Sequence, residues 1–243
     1  MQTTDPVKIG VMGFGTVGTG VIRFLLDREK SVGDVQLRCV AVADPSKPRD
    51  LEVPRLTGDP AELAGDPEID LIVELMGGEL PAVSLIMDGL SQGKGVVTAN
   101  KVVVSRHMDS LFALARDRKV DFAFEAAVAG SIPIIQVLRG LRGQRIQRVT
   151  GILNGTSNYI LSRMEEGMGF EEALKLAQEK GYAEAAHELD TGGFDARDKL
   201  AILASLASGT VVDPEEIHCE GIVGITSVDL DFAGKHGVEE DEP

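Results

Sequence analysis

The feature that most constrains this chain is a glycine-rich hexapeptide between a predicted strand and a predicted helix. Residues 7–12 are mostly apolar, residues 13–18 read GFGTVG, and apolar side chains then recur at helical spacing up to Arg28. In such a turn the first glycine permits the tight bend, the second lets the backbone approach a pyrophosphate, and the third allows close helix packing. A chance cluster among 28 glycines is the competing interpretation. The flanking strand and helix favour dinucleotide binding, which we predict for Gly13, Phe14, Gly15, Thr16, Val17 and Gly18.

The charge balance restricts the partners of the chain. Its 24 Lys and Arg residues are outnumbered by 39 Asp and Glu residues, which gives a formal charge of −15. Nucleic acids and anionic membranes attract clustered basic side chains, so we expect neither as a partner. No apolar run approaches the length of a membrane span, and the first residues lack a secretory pattern, so we expect a cytoplasmic location. Cys39 and Cys219 lack metal-ligand spacing and are expected to be unpaired thiols.

Strand and helix patterns alternate through the first half of the chain. The near-continuous apolar run at residues 69–76 is typical of a strand covered on both faces, as in a parallel sheet flanked by helices. The alternation predicts an α/β fold, with a doubly wound Rossmann domain at residues 1–133. Beyond the first strand and helix, we predict strands at 35–44, 69–76, 95–99 and 120–127, helices at 80–92 and 105–118, and a short helix within 54–67.

The predicted second strand ends at Asp44, where a Rossmann domain places the carboxylate that binds an adenosine ribose. A turn residue before Pro45 is an equally good interpretation, because Asp-Pro is a turn signal. Lys47 and Arg49 follow and could pair with a 2′-phosphate. NAD and NADP therefore both remain candidate cofactors.

Two further polar residues end predicted strands, where doubly wound sheets bind their ligands. Lys101 follows the strand at 95–99, although a lysine in this position is more often a solvated loop residue. Glu125 lies late in the strand predicted at 120–127, before a turn of small residues. Backbone carbonyls of that turn could join the carboxylate around a hard cation.

The pattern changes to α+β from residue 134 onward. Asp195 and Lys199 are four residues apart on a predicted helix and share a face, so they are candidates for a functional site. A surface ion pair is the competing interpretation. The acidic loop at 182–194 leads into this helix and favours the site. We predict strands at 146–153 and 220–225, helices at 157–166, 170–180 and 195–208, and an unstructured acidic end at 237–243.

Seven segments together resemble the homoserine dehydrogenases, in that family's order and spacing. They are GFGTVG (13–18), ELMGG (74–78), TANK (98–101), EAAVAGSIPII (125–135), GILNGTSNYIL (151–161), GYAE (181–184) and GFDARDKLAILA (193–204). The resemblance implies interconversion of L-homoserine and L-aspartate 4-semialdehyde with NAD or NADP, in threonine, methionine and isoleucine biosynthesis. It also implies a Rossmann domain followed, at 134–243, by an α+β domain that binds substrate and forms a homodimer.

The resemblance assigns roles to individual residues. Lys199 would donate the proton to the aldehyde oxygen, Asp195 would orient that oxygen, and Lys101 would contact cofactor and substrate as a second catalytic lysine. Gly77 and Gly78 would join the cofactor site. The substrate would be surrounded by Gly155, Thr156, Tyr182, Glu184 and Asp190, with Lys199. A monovalent cation such as Na⁺ would be bound by Glu125 and the carbonyls of Val128, Gly130 and Ile132.

Three departures from the family pattern affect these expectations. Ala43 replaces an arginine found in many members, which removes an obvious partner for a 2′-phosphate and weakens the expectation of NADP over NAD. Ala186-His187 replaces an Asp-Pro pair of the substrate loop. Family members continue beyond GITSVDLDFA through further strands, so we expect the second domain to be incomplete. The alternatives are a related nicotinamide-dependent semialdehyde or amino-acid oxidoreductase, and a truncated dinucleotide-binding protein without turnover.

Overall fold

The computed structural model describes residues 5–183 and 187–236, which form two compact units. The first unit ends at Gln136 and the second begins at Val137. Within the described residues, no helix combines the length and the apolar character that a membrane crossing requires. Both cysteines are free thiols, and burial raises the pKa of the Cys39 thiol.

The first unit is built on a six-stranded parallel sheet. The strands are β1 (Val7–Met12), β2 (Val35–Ala41), β3 (Leu56–Thr57), β4 (Leu71–Glu74), β5 (Gly95–Thr98) and β6 (Phe122–Ala123). Their order is β3-β2-β1-β4-β5-β6, so the direction of strand addition reverses between β1 and β4. This is the Rossmann order, and the carboxyl ends of β1 and β4 form its switch point. The predicted α/β fold is confirmed.

Helices alternate with these strands because apolar residues recur at helical spacing between them. They are α1 (Thr16–Ser31), α2 (Ala61–Gly65), α3 (Ala82–Ser91), α4 (Lys101–Arg118) and α5 (Ile134–Gly140), the last of which contains the division between the units. Ile22 and Leu25 of α1 are buried against Ile9, Val11 and Leu37 of the sheet. This packing fixes the start of α1 relative to the end of β1.

The second unit, where it is described, is helical. It contains α6 (Gly155–Glu165), α7 (Phe170–Glu179), α8 (Glu188–Thr191), α9 (Phe194–Ser208) and α10 (Ser227–His236). Ile160 and Met164 of α6 pack with Ala173 and Leu174 of α7 and Leu230 of α10 in one buried cluster. The predicted helices at 157–166, 170–180 and 195–208 are therefore present within two residues of their predicted starts.

Several predicted elements differ from the structure. The strands predicted at 146–153 and 220–225 are wrong. Both stretches contain residues that favour strands, but within the described residues neither pairs with a neighbouring strand. A strand forms only where such pairing occurs. The strand predicted at 120–127 shrinks to β6, which pairs with β5 through two residues, and Glu125–Ala127 form a 3₁₀ turn. The helix α10 was not predicted. Its signal was present, because Thr226 and Asp229 form a capping pair at its start.

Candidate functional site

The GFGTVG turn lies at the switch point, between β1 and α1. Gly13 has a φ of +112°, and a Cβ there would lie 2.7 Å from the carbonyl oxygen of Leu75. A Cβ on Gly18 would lie 2.3 Å from the carbonyl oxygen of Gly13, so only glycine allows α1 to pack this closely. Around Gly15 there is open space, and because the residue that precedes α1 is this glycine, it has no side chain to cap the first N–H groups of the helix. This geometry suits a pyrophosphate at Gly15.

A buried carboxylate organises the next turn of the switch point. Glu74, at the end of β4, is 0% exposed. Its Oε1 accepts a hydrogen bond from the Met76 N–H at 2.7 Å, and its Oε2 accepts one from the Thr98 hydroxyl at 2.6 Å. Glu74 therefore ties the turn that follows β4 to the end of β5. The sequence analysis placed Glu74 in an apolar strand and in the segment ELMGG but gave it no role.

The hydrogen-bond chain continues to the start of α4. The Thr98 hydroxyl accepts from the Asn100 N–H at 3.0 Å, and the Asn100 side-chain amide donates to the Gly78 carbonyl at 2.6 Å. The other end of that side chain caps α4 by accepting from the Val103 N–H. One hydrogen-bond network thus positions Gly77 and Gly78, which both have positive φ, and Lys101, which is the first residue of α4. The predicted start of α4 at residue 105 was four residues late.

Asp44 and Arg49 lie just beyond β2. The hydroxyl and N–H of Ser46 both donate to one oxygen of the Asp44 carboxylate, at 2.6 and 2.9 Å, and hold its pKa below the ordinary value. This is the turn role that the sequence also allowed. The Arg49 guanidinium donates to the Asp44 carbonyl at 2.9 Å and lies 5.4 Å from the centre of the Phe14 ring. A fixed positive charge therefore stands between Asp44 and the GFGTVG turn.

Glu125 is held at the start of α5. Its carboxylate accepts hydrogen bonds from the N–H groups of Ile135, at 2.8 Å, and Gln136, at 3.1 Å. The turn between Glu125 and α5 contains Val128, Gly130 and Ile132. The Ile132 carbonyl accepts a hydrogen bond from the Ile134 N–H at 2.8 Å. Within the described residues, no group of three or more His, Cys, Asp and Glu side chains could hold a metal ion. The predicted cation site stays a prediction.

In the second unit, Asp195 and Lys199 form an ion pair on α9. The Lys199 ammonium donates to Asp195 Oδ2 at 2.6 Å and to the Leu153 carbonyl at 2.8 Å. The two side chains are 9% and 20% exposed, respectively, so this is not a solvated surface pair. The spacing in the sequence allowed both interpretations, and burial excludes the exposed one.

Asn154 joins this pair to a second acidic residue, Asp190, although the sequence analysis gave Asn154 no role beyond its place in the segment GILNGTSNYIL. Its side-chain nitrogen donates to Asp195 Oδ2 at 2.9 Å and to Asp190 Oδ1 at 2.7 Å. Its side-chain oxygen caps α6 by accepting from the Ser157 N–H at 2.7 Å. The signal was an asparagine just before a helical pattern, which is the usual position of a cap.

The other predicted substrate residues lie around the start of α6. Gly155 is its first residue, and the Thr156 hydroxyl donates to the Tyr182 carbonyl at 2.7 Å. Glu184 lies outside the described residues. An open cavity of about 1010 Å³ is lined by Asn154 and Asp190 and also by residues of α6 and α10. The second unit therefore has room for a small molecule beside these polar groups.

Comparisons with known proteins agree along most of the chain. Family models match at residues 13–125, described as "Homoserine dehydrogenase, NAD binding domain", and at residues 133–239, described as "Homoserine dehydrogenase". A homoserine dehydrogenase of Synechocystis is 46% identical over 238 residues, which are 95% of this chain and 55% of that protein. The chain thus spans about half the length of this relative.

Solved structures give the same result. The crystal structure of a homoserine dehydrogenase from Thiobacillus denitrificans has a TM-score of 0.90 and 42% identity, and the match covers 96% of this chain and 56% of that one. A hyperthermophilic archaeal homoserine dehydrogenase in complex with NADPH has a TM-score of 0.78 and 27% identity, with 91% and 76% covered. The chain belongs to the homoserine dehydrogenase family, and its first unit contains the match to that family's NAD-binding domain.

Proposed function

We propose that this chain takes part in the NAD(P)-dependent interconversion of L-homoserine and L-aspartate 4-semialdehyde. The observation that carries the proposal is the largely buried Lys199 ammonium, which is held by Asp195 and the Leu153 carbonyl. Two of its three hydrogens are used in these bonds, and the third can be directed at a substrate oxygen. Family membership supplies the substrate.

Lys199 is the proton donor for reduction of the aldehyde. One semialdehyde, one NAD(P)H and one proton give one homoserine and one NAD(P)⁺, so a proton must reach the carbonyl oxygen as hydride reaches the carbonyl carbon. The nicotinamide, when bound, supplies that hydride. The Lys199 ammonium gives its proton to the oxygen, and Asp195 keeps the ammonium in place. In the reverse direction the neutral amine removes the hydroxyl proton of homoserine.

The substrate's own charges suggest which residues bind it. Homoserine and the semialdehyde carry an α-ammonium group, and Asp190, held by the Asn154 amide, is the described carboxylate that we assign to it. Gly155, Thr156 and Tyr182 complete the predicted surroundings. Glu184, which lies outside the described residues, stays in the prediction as a second acid.

The cofactor contacts are assigned to the first unit. The open space at Gly15 and the uncapped start of α1 receive the pyrophosphate, and the turn at Gly77 and Gly78 faces the same end of the sheet. Lys101 is the second catalytic lysine. Arg49 supports NADPH, because its charge lies beside Asp44, where the adenosine ribose is expected. The archaeal relative was solved with NADPH, which agrees with this choice.

Three further assignments follow from the family and belong to the same proposal. The protein acts as a homodimer, it works in the cytoplasm, and a monovalent cation such as Na⁺ binds at Glu125 with the carbonyls of Val128, Gly130 and Ile132. Light scattering tests the dimer, and turnover in Na⁺ compared with a bulky organic cation tests the cation. Monomeric protein, or turnover that does not depend on the cation, would remove the corresponding assignment.

Binding and turnover must be measured separately to test the reaction. We expect NADPH fluorescence to change on titration with the protein, and NADP⁺ to be reduced when homoserine is added. Binding with no turnover in either direction would instead support the alternative in which this chain only binds a dinucleotide. Turnover with another amino-acid semialdehyde, and none with homoserine, would support a related oxidoreductase.

A further inference from the structure

Asn154 makes two kinds of contact, and only one of them, the helix cap, is a common structural role. It is 8% exposed, precedes α6, and caps that helix through the bond from the Ser157 N–H to its side-chain oxygen. Ser and Asp make the same kind of cap about equally well. Capping therefore explains a small polar residue at this position, but not an asparagine.

The amide nitrogen of Asn154 explains the choice of asparagine. It donates one hydrogen bond to Asp190, on α8, and one to Asp195, on α9. These two bonds use both hydrogens of the amide, while the cap uses its oxygen. The amide cannot be flipped, since its oxygen would then face two carboxylates and its NH₂ group would face the Ser157 N–H. Its orientation is fixed by three contacts on three different helices.

The contact with Asp195 lies at the oxygen that also accepts from Lys199. Asp195 Oδ2 receives the Asn154 amide at 2.9 Å and the Lys199 ammonium at 2.6 Å. Lys199 also donates to the carbonyl of Leu153, the residue directly before Asn154. Residues 153 and 154 therefore hold both members of the ion pair, one through a carbonyl and the other through an amide.

We propose that Asn154 is a positioning residue that fixes Asp195 so that the Lys199 ammonium keeps a single orientation for proton transfer. This inference rests on the proposed role of Lys199 as proton donor. Asn154 acts through Asp195 and need not touch the substrate. Without its amide, the Asp195 carboxylate loses the donor that Asn154 provides at Oδ2, and Lys199 loses the fixed acceptor that aims it.

Two substitutions distinguish positioning from capping, because each of them keeps the helix cap. Asn154→Ser removes both donated bonds, and Asn154→Asp replaces the donor with an acceptor. We expect each to lower kcat by about 10- to 100-fold at neutral pH, the change that corresponds to one lost hydrogen bond to a charged group. NADPH affinity should be unchanged in both variants, and the Tm of Asn154→Ser should stay within a few degrees of the parent. If both variants keep parental kcat, Asn154 is only a cap and the proposal is overturned.

A pH profile distinguishes the two variants from each other. In Asn154→Asp the new carboxyl lies beside two others, which raises the pH at which the cluster takes up a proton. A protonated carboxyl can again donate to Asp195, so Asn154→Asp should recover activity relative to Asn154→Ser as the pH falls. Equal profiles would count against positioning. Among the described residues, the charged groups that surround the amide or line the same cavity are Asp190, Asp195, Lys199, Glu165, Glu220, Asp231 and Lys235.

A spectroscopic measurement keeps the inference testable even if the parent protein does not turn over. The ammonium protons of Lys199, assigned by their absence in Lys199→Arg, should exchange slowly enough with water to be seen by ¹⁵N NMR in the parent. In Asn154→Ser we expect the signal to broaden or disappear. A sharp, unchanged signal would overturn the positioning role, whereas an inactive parent with the expected NMR change would refute only the proposed function.

Discussion

The two units hold their candidate site residues by different kinds of contact. In the first unit the turns at Gly13 and Gly78 are fixed mainly by backbone geometry and by hydrogen bonds from neutral side chains, with one buried carboxylate, Glu74, behind them. In the second unit the site consists of charged side chains that hold one another through Asn154. A cofactor site needs open backbone N–H groups, whereas a proton-transfer site needs a charged group held in one orientation.

The largest effect should come from removing the charged group of the second unit. Lys199→Met keeps most of the apolar stem but has no proton to donate, so we expect kcat to fall by about 10² to 10⁴. NADPH affinity should be the same as in the parent, because the first unit is unchanged. Steady-state kinetics in both directions and a fluorescence titration measure the two quantities. Lys175→Met, on the exposed side of α7, is the matched control. Near-parental turnover in Lys199→Met would shift the role to Lys101.

In the first unit, two neighbouring glycines should respond differently to the same change. In Gly18→Ala the new Cβ would lie 2.3 Å from the Gly13 carbonyl oxygen, so α1 must move, and we expect a loss of about 1–3 kcal/mol in unfolding free energy. In Gly15→Ala the Cβ enters open space, so the free energy of unfolding should stay near that of the parent. NADPH binding should weaken, because this space is where we place the pyrophosphate. Urea unfolding and NADPH titration on both variants check this. Equal stability in the two variants would show that the packing of α1 is looser than described.

A smaller effect should separate the two cofactors. Arg49→Ala removes the charge beside Asp44, and we expect NADPH to bind about tenfold more weakly, which corresponds to about 1.4 kcal/mol. NADH has no 2′-phosphate, so its affinity should be unchanged. Isothermal titration with both reduced cofactors measures this, with Arg118→Ala at the exposed end of α4 as the control. Equal losses for NADPH and NADH would mean that Arg49 only supports the turn.

The smallest expected effect concerns a buried cation at the other end of the sheet. Lys94 is 5% exposed and donates to the Ile69 carbonyl at 2.8 Å, and burial lowers its pKa from the usual 10.5. Between the lowered value and 10.5 the unfolded chain binds more protons than the folded chain, so the free energy of unfolding should rise with pH there.

Lys94→Met should remove this positive slope, whatever it does to overall stability. One titrating group contributes at most about 1.36 kcal/mol per pH unit, so the slopes of the two proteins should differ by less than that. Urea unfolding at a series of alkaline pH values measures the difference. Identical slopes would mean that the ammonium is solvated in the folded protein.

The same contrast explains how much could be predicted from the sequence. The Rossmann order and the GFGTVG turn were predictable, because local patterns such as glycine spacing and apolar runs determine them. The network of Glu74, Thr98 and Asn100 was missed, because it joins residues far apart in the sequence. Glu74 and Thr98 are 24 positions apart, and Gly78 and Asn100 are 22 positions apart. Local pattern alone also suggested strands at 146–153 and 220–225, where the structure has no pairing within its described residues.

In the second unit only part of the site was predictable. Asp195 and Lys199 were found because they are one helical turn apart, which is a local spacing. Asn154 lies 36 residues before Asp190 and 41 before Asp195, and no local pattern links them. Residues that act through partners on other helices therefore need the structure, whereas residues that share a turn or a helix face can be found in the sequence.

Hydrogen exchange with each ligand alone tests the central claim that the units divide the work. NADPH should protect the backbone amides of residues 13–18 and 77–78 in the first unit, because the pyrophosphate replaces water at the uncapped start of α1. Homoserine alone should instead protect residues 153–157 and 190–199 in the second unit. Protection by NADPH that is absent from 13–18, or by homoserine that falls only in the first unit, would contradict this division of function.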